Sequence, residues 1–318
     1  GLLTRTNSLL ACTQMRKVNN MHEYLKIITV LVFGLFAAHS SVAETHDSHF
    51  AKLTSFVHKK MAERSVPGVS MGVIHNEKVE IANFGITNIN NPQLVTNDTL
   101  FQIGSITKTM TGTIIMRLVE QGKLELDAPV RQYLPDFKVK DESVSAAVTV
   151  RDLLTHMSGW QGDYFSDTGN GDDALDKILG EMAELEQLVP INTIYSYNNS
   201  AFYVAAAIIE KVTGELFQDV LQTKVFDDLG LSNSYIVPST MMTKPFVVGH
   251  LVSDNSVTVM ERWALFRAAW AAGGAITNVE DMLKYAQFHM GDGRNSAGEQ
   301  VMQASSIKAM QTPQAPKL

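Results

Sequence analysis

Ser105 and Lys108 stand three residues apart in the stretch Phe101-Gln102-Ile103-Gly104-Ser105-Ile106-Thr107-Lys108. On a helix, positions i and i+3 share a face, so the amine can reach the hydroxyl. A serine hydroxyl is a weak nucleophile near neutral pH and needs a neighbouring base, which a lysine held in a dry cleft can supply. A helix start adds free N–H groups and a positive dipole end, both favourable to a developing oxyanion. The spacing alone is a weak signal. Ser-x-x-Lys arises by chance roughly once in a few hundred residues, and Ser305-Ser306-Ile307-Lys308 is such an instance, with no glycine before it.

Two further side chains could act on that pair. Tyr197 and Asn199 lie in Ile194-Tyr195-Ser196-Tyr197-Asn198-Asn199-Ser200, just before an apolar run. On an extended loop alternate residues point the same way, so the phenol and the amide would be presented together. The reference pKa values of tyrosine, about 10, and lysine, about 10.4, must both fall before either takes the serine proton. Crowding them in a dry cleft does this, because a nearby positive charge favours the phenolate. Taken alone, Tyr197 reads better as a packing tyrosine. His156 offers a second candidate base, but a buried histidine bonded to local backbone accounts for it as well.

The elements that must position these residues follow from periodicity. Met110, Ile114, Ile115, Leu118 and Val119 form an apolar stripe after Lys108, and Gly122 suits the end of that helix. Further helices are predicted over 48–64, 148–159, 173–188, 201–214 and 279–290, the last capped by Asn278, with another ending at Gly230. Residues 69–75 and 78–84 read as two strands joined by a tight hairpin at Asn76-Glu77. The stretch 270–278 reads as a small-residue strand or turn. Trp160 and Tyr164 belong either to a cleft wall or to the core, and 163–173 reads as a surface loop. His46 and His49 fit a solvated terminus better than a metal site.

The chain has 318 residues, 45% of them hydrophobic and 19% charged, as in an ordinary globular protein of one large domain or two interleaved ones. It begins with Gly, so residues 1–20 are expected to lie upstream of the natural start. Residues 21–43 read as a secretory signal peptide: Met21, a basic Lys26, the apolar run 27–38, then Ser41-Val42-Ala43. That run is too short to span a bilayer comfortably. Past residue 43 the chain carries 22 basic and 32 acidic residues, net −10, and no cysteine, since the single Cys12 is removed. An exported, cysteine-free chain relies on its core rather than on disulfides. The acidic balance argues against nucleic acid and anionic membranes as partners. The expected location is a bacterial periplasm or beyond.

Five ordered segments together resemble the serine β-lactamase and penicillin-binding protein superfamily, in its class-C-like serine hydrolase branch. They are Phe-x-Ile-Gly-Ser-x-Thr-Lys at 101–108, Leu-Leu-Thr-His-x-Ser-Gly at 153–159, Tyr-x-Asn at 197–199, Ile-Glu-Lys-Val-Thr-Gly at 209–214 and Ala-Gly-Gly at 272–274. The resemblance covers roughly residues 48–290. It implies an α/β (α+β) fold, β-lactamase/transpeptidase-like, with an antiparallel sheet flanked by helices and an all-α subdomain inserted at about 120–270 of a domain spanning 44–318. It implies Ser105 as the acylated nucleophile, Lys108 as its proton partner, Tyr197 as the general base and Asn199 as the holder of lysine and substrate amide. No cofactor or metal is implied. The substrate would be a small molecule or peptide bearing an ester, amide or β-lactam, with the Ser105 backbone N–H as one oxyanion donor. The family's third motif, Lys-Thr-Gly or His-x-Gly on a later strand, does not follow Gly274 before Leu318, and Gly291-Asp292-Gly293 is no substitute. The C-terminal strands are therefore expected to be missing. An acylating protein with little turnover, or an inactive relative, is the alternative; the oligomeric state is left open.

Overall fold

A computed structural model describes residues 48–314 apart from 77, 254, 255 and 264. The chain divides into units 1–53 and 54–318, and the second carries every residue of the site described below. The signal-peptide stretch, the upstream start and His46 lie outside the described residues.

The chain runs through α1 (Ser48–Arg64), a hairpin of β1 (Gly68–His75) and β2 (Lys78–Gly85), and a short β3 (Phe101–Gln102). A single 3₁₀ turn, Gly104–Ile106, then feeds α2 (Thr107–Glu120). Next come α3 (Glu142–Ala147), α4 (Val150–Leu154), α5 (Ala174–Glu181), α6 (Ser200–Thr213) and α7 (Phe217–Leu221). The hairpin β4 (His250–Ser253) and β5 (Ser256–Val259) follows, then α8 (Trp270–Gly273), β6 (Ile276–Thr277), α9 (Val279–Met290) and α10 (Ala304–Gln311). The antiparallel sheet takes the form of three separate two-stranded pairs, β1–β2, β3–β6 and β4–β5. The last pair falls within the stretch expected to be all-helical.

Residues 69–84 meet the hairpin expectation. His75 pairs with Lys78 and Gly68 with Gly85, and Asn76 takes the positive φ of 48° that a two-residue loop demands. Helix α9 packs on β1, where Leu283 comes so near Gly72 that a β-carbon there would stand 2.7 Å from its Cδ1. The core sits between helices. Ten consecutive residues of α6, Ser200 to Ile209, are buried, as expected of a helix apolar on every side. Met110, Ile114 and Ile115 of α2 join the same cluster, which α8 completes from a third side.

Three predicted elements differ in extent. The helix predicted to run to Gly159 stops at Leu154, because His156 turns left-handed with φ 61° and reverses the chain. The helix from Ala174 ends at Glu181 with one 3₁₀ turn (Met182–Glu184), after which Gln187 bridges to Trp160 instead. Residues 270–278 are not a continuous strand or turn. Trp270–Gly273 closes one helical turn, Gly274 N–H donating to Trp270 O at 2.8 Å, before the two residues of β6. Small residues there let the chain fold back closely, since a β-carbon on Gly274 would stand 2.8 Å from Trp270 Cα and 3.0 Å from Ile236 Cδ1.

Candidate active site

The lead-in to Ser105 is held by a short ladder. Phe101 pairs with Thr277 and Gln102 with Ile276, and Ile103 N–H donates to Ala275 O at 2.9 Å. Gly104 then adopts φ 54°, a conformation that a side chain disfavours. The Thr107 hydroxyl donates back to Gly104 O at 2.7 Å and accepts the Ala275 N–H at 3.1 Å, riveting the turn to the 272–275 segment. Ser105 thus sits on a 3₁₀ turn rather than on the α-helix itself. That brings it nearer to Lys108, because side chains at i and i+3 eclipse at three residues per turn.

Lys108 is 6% exposed, and its amine has three partners. Nζ donates to Asn199 Oδ1 at 2.7 Å and to Ala272 O at 2.7 Å, and lies 3.1 Å from Ser105 Oγ. The first two oxygens can only accept, so they take two N–H bonds. The third direction faces the serine hydroxyl, which can accept a proton or give one. As an ammonium, Lys108 donates to Oγ; as a neutral amine, it turns its lone pair there and can take the serine proton. Burial pushes the Lys108 amine below its ordinary range, against an opposing pull from the Tyr197 phenol and, more weakly, Asp163.

Tyr197 and Asn199 both reach this amine from the loop before α6. The Tyr197 ring lies 5.0 Å from Lys108 Nζ, and the side chain is 43% exposed at the mouth. Asn199 gives its oxygen to Lys108 and its Nδ2 to Asp163 Oδ1 at 2.7 Å, so the carboxylate fixes which way the amide faces. Asn198, between them, points inward and is fully buried. Its Nδ2 donates to Ser158 Oγ and Trp160 O, both at 3.1 Å, while its Oδ1 accepts from Ser200 Oγ at 2.9 Å and Ala201 N–H at 2.8 Å. From below, Gly162 O takes the N–H groups of Asn199 and Ser200 at 3.1 and 3.0 Å. The approach is close, since a β-carbon on Gly162 would stand 2.5 Å from Tyr197 O.

All four residues singled out in the sequence, Ser105, Lys108, Tyr197 and Asn199, therefore meet around one nitrogen. A cavity of about 380 Å³ opens beside Ser105, with Tyr197, His156, Met116 and Met310 among its walls. Trp160 lies in the core, its indole N–H donating to Ser200 Oγ at 2.9 Å, and Tyr164 bonds Glu181 at 2.8 Å. His156 makes no bond to Ser105; its Nδ1 accepts the Asn198 N–H at 3.0 Å. Among the described residues no cluster of three or more His, Cys, Asp or Glu could hold a metal ion.

The arrangement can be set beside known proteins. The family model described as Beta-lactamase matches residues 53–317. The chain belongs to the beta-lactamase family. Among its relatives is Penicillin-binding protein 4 of Amycolatopsis lactamdurans, 32% identical over 250 residues, which cover 78% of this chain and 66% of that one. Unguisins hydrolase ungD' of Aspergillus campestris is 29% identical over 252 residues, covering 76% of this chain and 46% of its own. The octameric penicillin-binding protein homologue from Pyrococcus abyssi superposes with a TM-score of 0.69 at 28% identity, over 83% of this chain and 60% of that one. The chain thus spans about half to two thirds of the length of these relatives.

Sequence reasoning missed the groups that hold this beta-lactamase family site from behind: Asn198, Ser158, Ser200, Asp163 and the carbonyl of Ala272. One signal was available for Asn198. If Tyr197 and Asn199 face the cleft from an extended loop, the residue between them faces inward, and a buried amide must find four partners.

Proposed function

We propose that the protein is an exported serine hydrolase that opens an ester or amide bond through an acyl-enzyme on Ser105. The observation that supports this most is the Lys108 amine, buried, bound by two carbonyl oxygens and left with its third direction on Ser105 Oγ. In this reading Oγ attacks the substrate carbonyl carbon while its proton passes to Lys108 or Tyr197. The bond to the leaving group breaks as that proton is delivered to the departing oxygen or nitrogen. Water then enters by the same route in reverse, releasing the acid and restoring the hydroxyl. Asn199 orients the amine and offers the substrate amide a partner. Export is supported by the pattern over residues 21–43. Among the described residues no helix is long and apolar enough to cross a membrane.

Esters and D-configured peptides rank above β-lactams as substrates in this reading because the branch is functionally mixed, its members bearing the names of an unguisins hydrolase, penicillin-binding proteins and beta-lactamases alike. The similarity to Penicillin-binding protein 4 favours a second reading, acylation with slow release. One experiment addresses both. Incubation with a fluorescent fluorophosphonate and with a fluorescent penicillin, followed by peptide mapping, is expected to place both labels on Ser105, with the penicillin label lost over time. A penicillin label that persists supports the slow-release reading. Failure of both probes to label Ser105 overturns the proposal.

A further inference from the structure

His156 has no part in the proton transfers above, yet it is the most unusually placed side chain near them. It follows the end of α4, where Met157 N–H donates to Asp152 O at 3.0 Å. That is the six-to-one bond of a Schellman turn, and it puts His156 at the position usually held by glycine. Its φ of 61° lies in the left-handed region, which glycine adopts without cost and a side chain does not. If the only task here were to end a helix, glycine would do it better. Strain of this kind in a non-glycine residue points to another task.

That task is visible in what the residue holds. His156 O accepts the Ser196 N–H at 3.0 Å, and His156 Nδ1 accepts the Asn198 N–H at 3.0 Å. Between these bonds lies Tyr197, whose ring stands 4.5 Å from the imidazole at an interplanar angle of 31°. Tyr195 meets the imidazole edge-on at 5.5 Å, and Phe202 of α6 packs at 5.5 Å, so the ring is fixed on three sides. A glycine would keep the carbonyl bond and lose both the Nδ1 bond and the ring packed on Tyr197.

We propose that His156 is a positioning residue that clamps residues 196–198 on either side of Tyr197 and so sets the phenol against Lys108 and Ser105. The inference rests on the acyl-enzyme reading above for its catalytic consequence, though not for the clamp itself. Acceptance at Nδ1 requires the neutral ring with its proton on Nε2. Burial and the neighbouring Lys108 charge hold the imidazole pKa down at about 4, which keeps that tautomer available at neutral pH. The other titratable or charged groups facing the ring or its cavity are the Tyr197 and Tyr195 phenols and Arg151.

The test compares the unaltered chain with His156→Gly and His156→Asn. Glycine keeps the turn and removes the clamp; asparagine tolerates the left-handed region and retains a side-chain acceptor. Three quantities are read: the melting temperature, amide hydrogen exchange at residues 196–198, and the rate of fluorophosphonate labelling of Ser105. His156→Gly is expected to keep or raise the melting temperature while exchange at Asn198 speeds at least about tenfold. Labelling is expected to slow about tenfold or more, a share of the roughly 100- to 10,000-fold that a placed proton-transfer group supplies. His156→Asn should recover part of both losses. Labelling of His156→Gly within twofold of the unaltered chain overturns the positioning role, and unchanged exchange at Asn198 overturns the clamp. Absence of labelling in the unaltered chain sinks the acyl-enzyme reading instead, and the exchange measurement still decides the clamp.

Discussion

The molecule contains two Ser-x-x-Lys quartets, and only one of them is built into a site. At 105–108 the serine is exposed and the lysine buried, with Asn199, Ala272 and Ser105 around its amine. At 305–308, on α10, Ser305 and Lys308 both face solvent, while Ser306 and Ile307 turn inward. Spacing is the same; desolvation is not. Water around an exposed ammonium stabilises its charge, whereas burial of Lys108 costs that stabilisation and shifts the amine toward the neutral, proton-accepting form. The lesson is that a reactive serine–lysine pair is defined by what surrounds the nitrogen, and the spacing merely allows it.

The sharpest way to break this comparison is to remove each serine in turn. Ser105→Ala is expected to reduce ester hydrolysis and covalent labelling by on the order of 1,000-fold or more, whereas Ser305→Ala should leave both within twofold, as read by initial rates and by mass spectrometry of the labelled chain. Equal losses would show that 105 holds no special place. Lysine comes next. Lys108→Met is expected to lower the acylation rate roughly 100- to 10,000-fold. It should also lower stability by about 1–3 kcal/mol for each buried acceptor left unpaired at Asn199 and Ala272, seen as a drop in melting temperature; Lys308→Met should do neither.

Tyr197→Phe tests a smaller effect. With the ring retained and the hydroxyl at the exposed mouth, folding should be unaffected within about 0.5 kcal/mol. Acylation is expected to fall roughly 100-fold. A rate within threefold of the unaltered chain would remove the phenol from the proton path. The smallest effect concerns pH. His156 is neutral in the folded protein down to about pH 4, while in the unfolded chain it takes up its proton near 6.5. Between those values the unfolded state binds more protons, so stability from this group is complete above about 6.5 and is lost as pH falls toward 4. Thermal melts across that window should show a steeper decline for the unaltered chain than for His156→Asn.

Much of this was legible in the residues. The β1–β2 hairpin, α2, α6 and the Asn278-capped α9 follow from alternation, apolar stripes and a cap, all of which act over a few neighbouring residues. So did the gathering of Ser105, Lys108, Tyr197 and Asn199, because the loop's alternation aims the last two the same way. What was not legible depends on partners distant in the chain. The end of α4 at Leu154 is decided by a loop some forty residues on, whose amides take up the carbonyl and ring nitrogen of His156. The one-turn α8 is decided by how closely Gly274 folds back on the Trp270 backbone and on Ile236, nearly forty residues earlier. Ala272 O, a main-chain atom, carries no side-chain signature at all, yet it takes one of the three directions around Lys108 Nζ.

Gly162 has one further consequence. Its α-carbon lies so near Tyr197 O and Asn198 Cα that a single added methyl group would need the space those atoms occupy. The reach of the phenol is thus gauged from the rear by a missing carbon, on a segment that touches none of the reacting atoms. Filling that gap would push back the main chain that carries the tyrosine without replacing any proton-bearing group, which makes position 162 a control on reactivity that acts through distance alone.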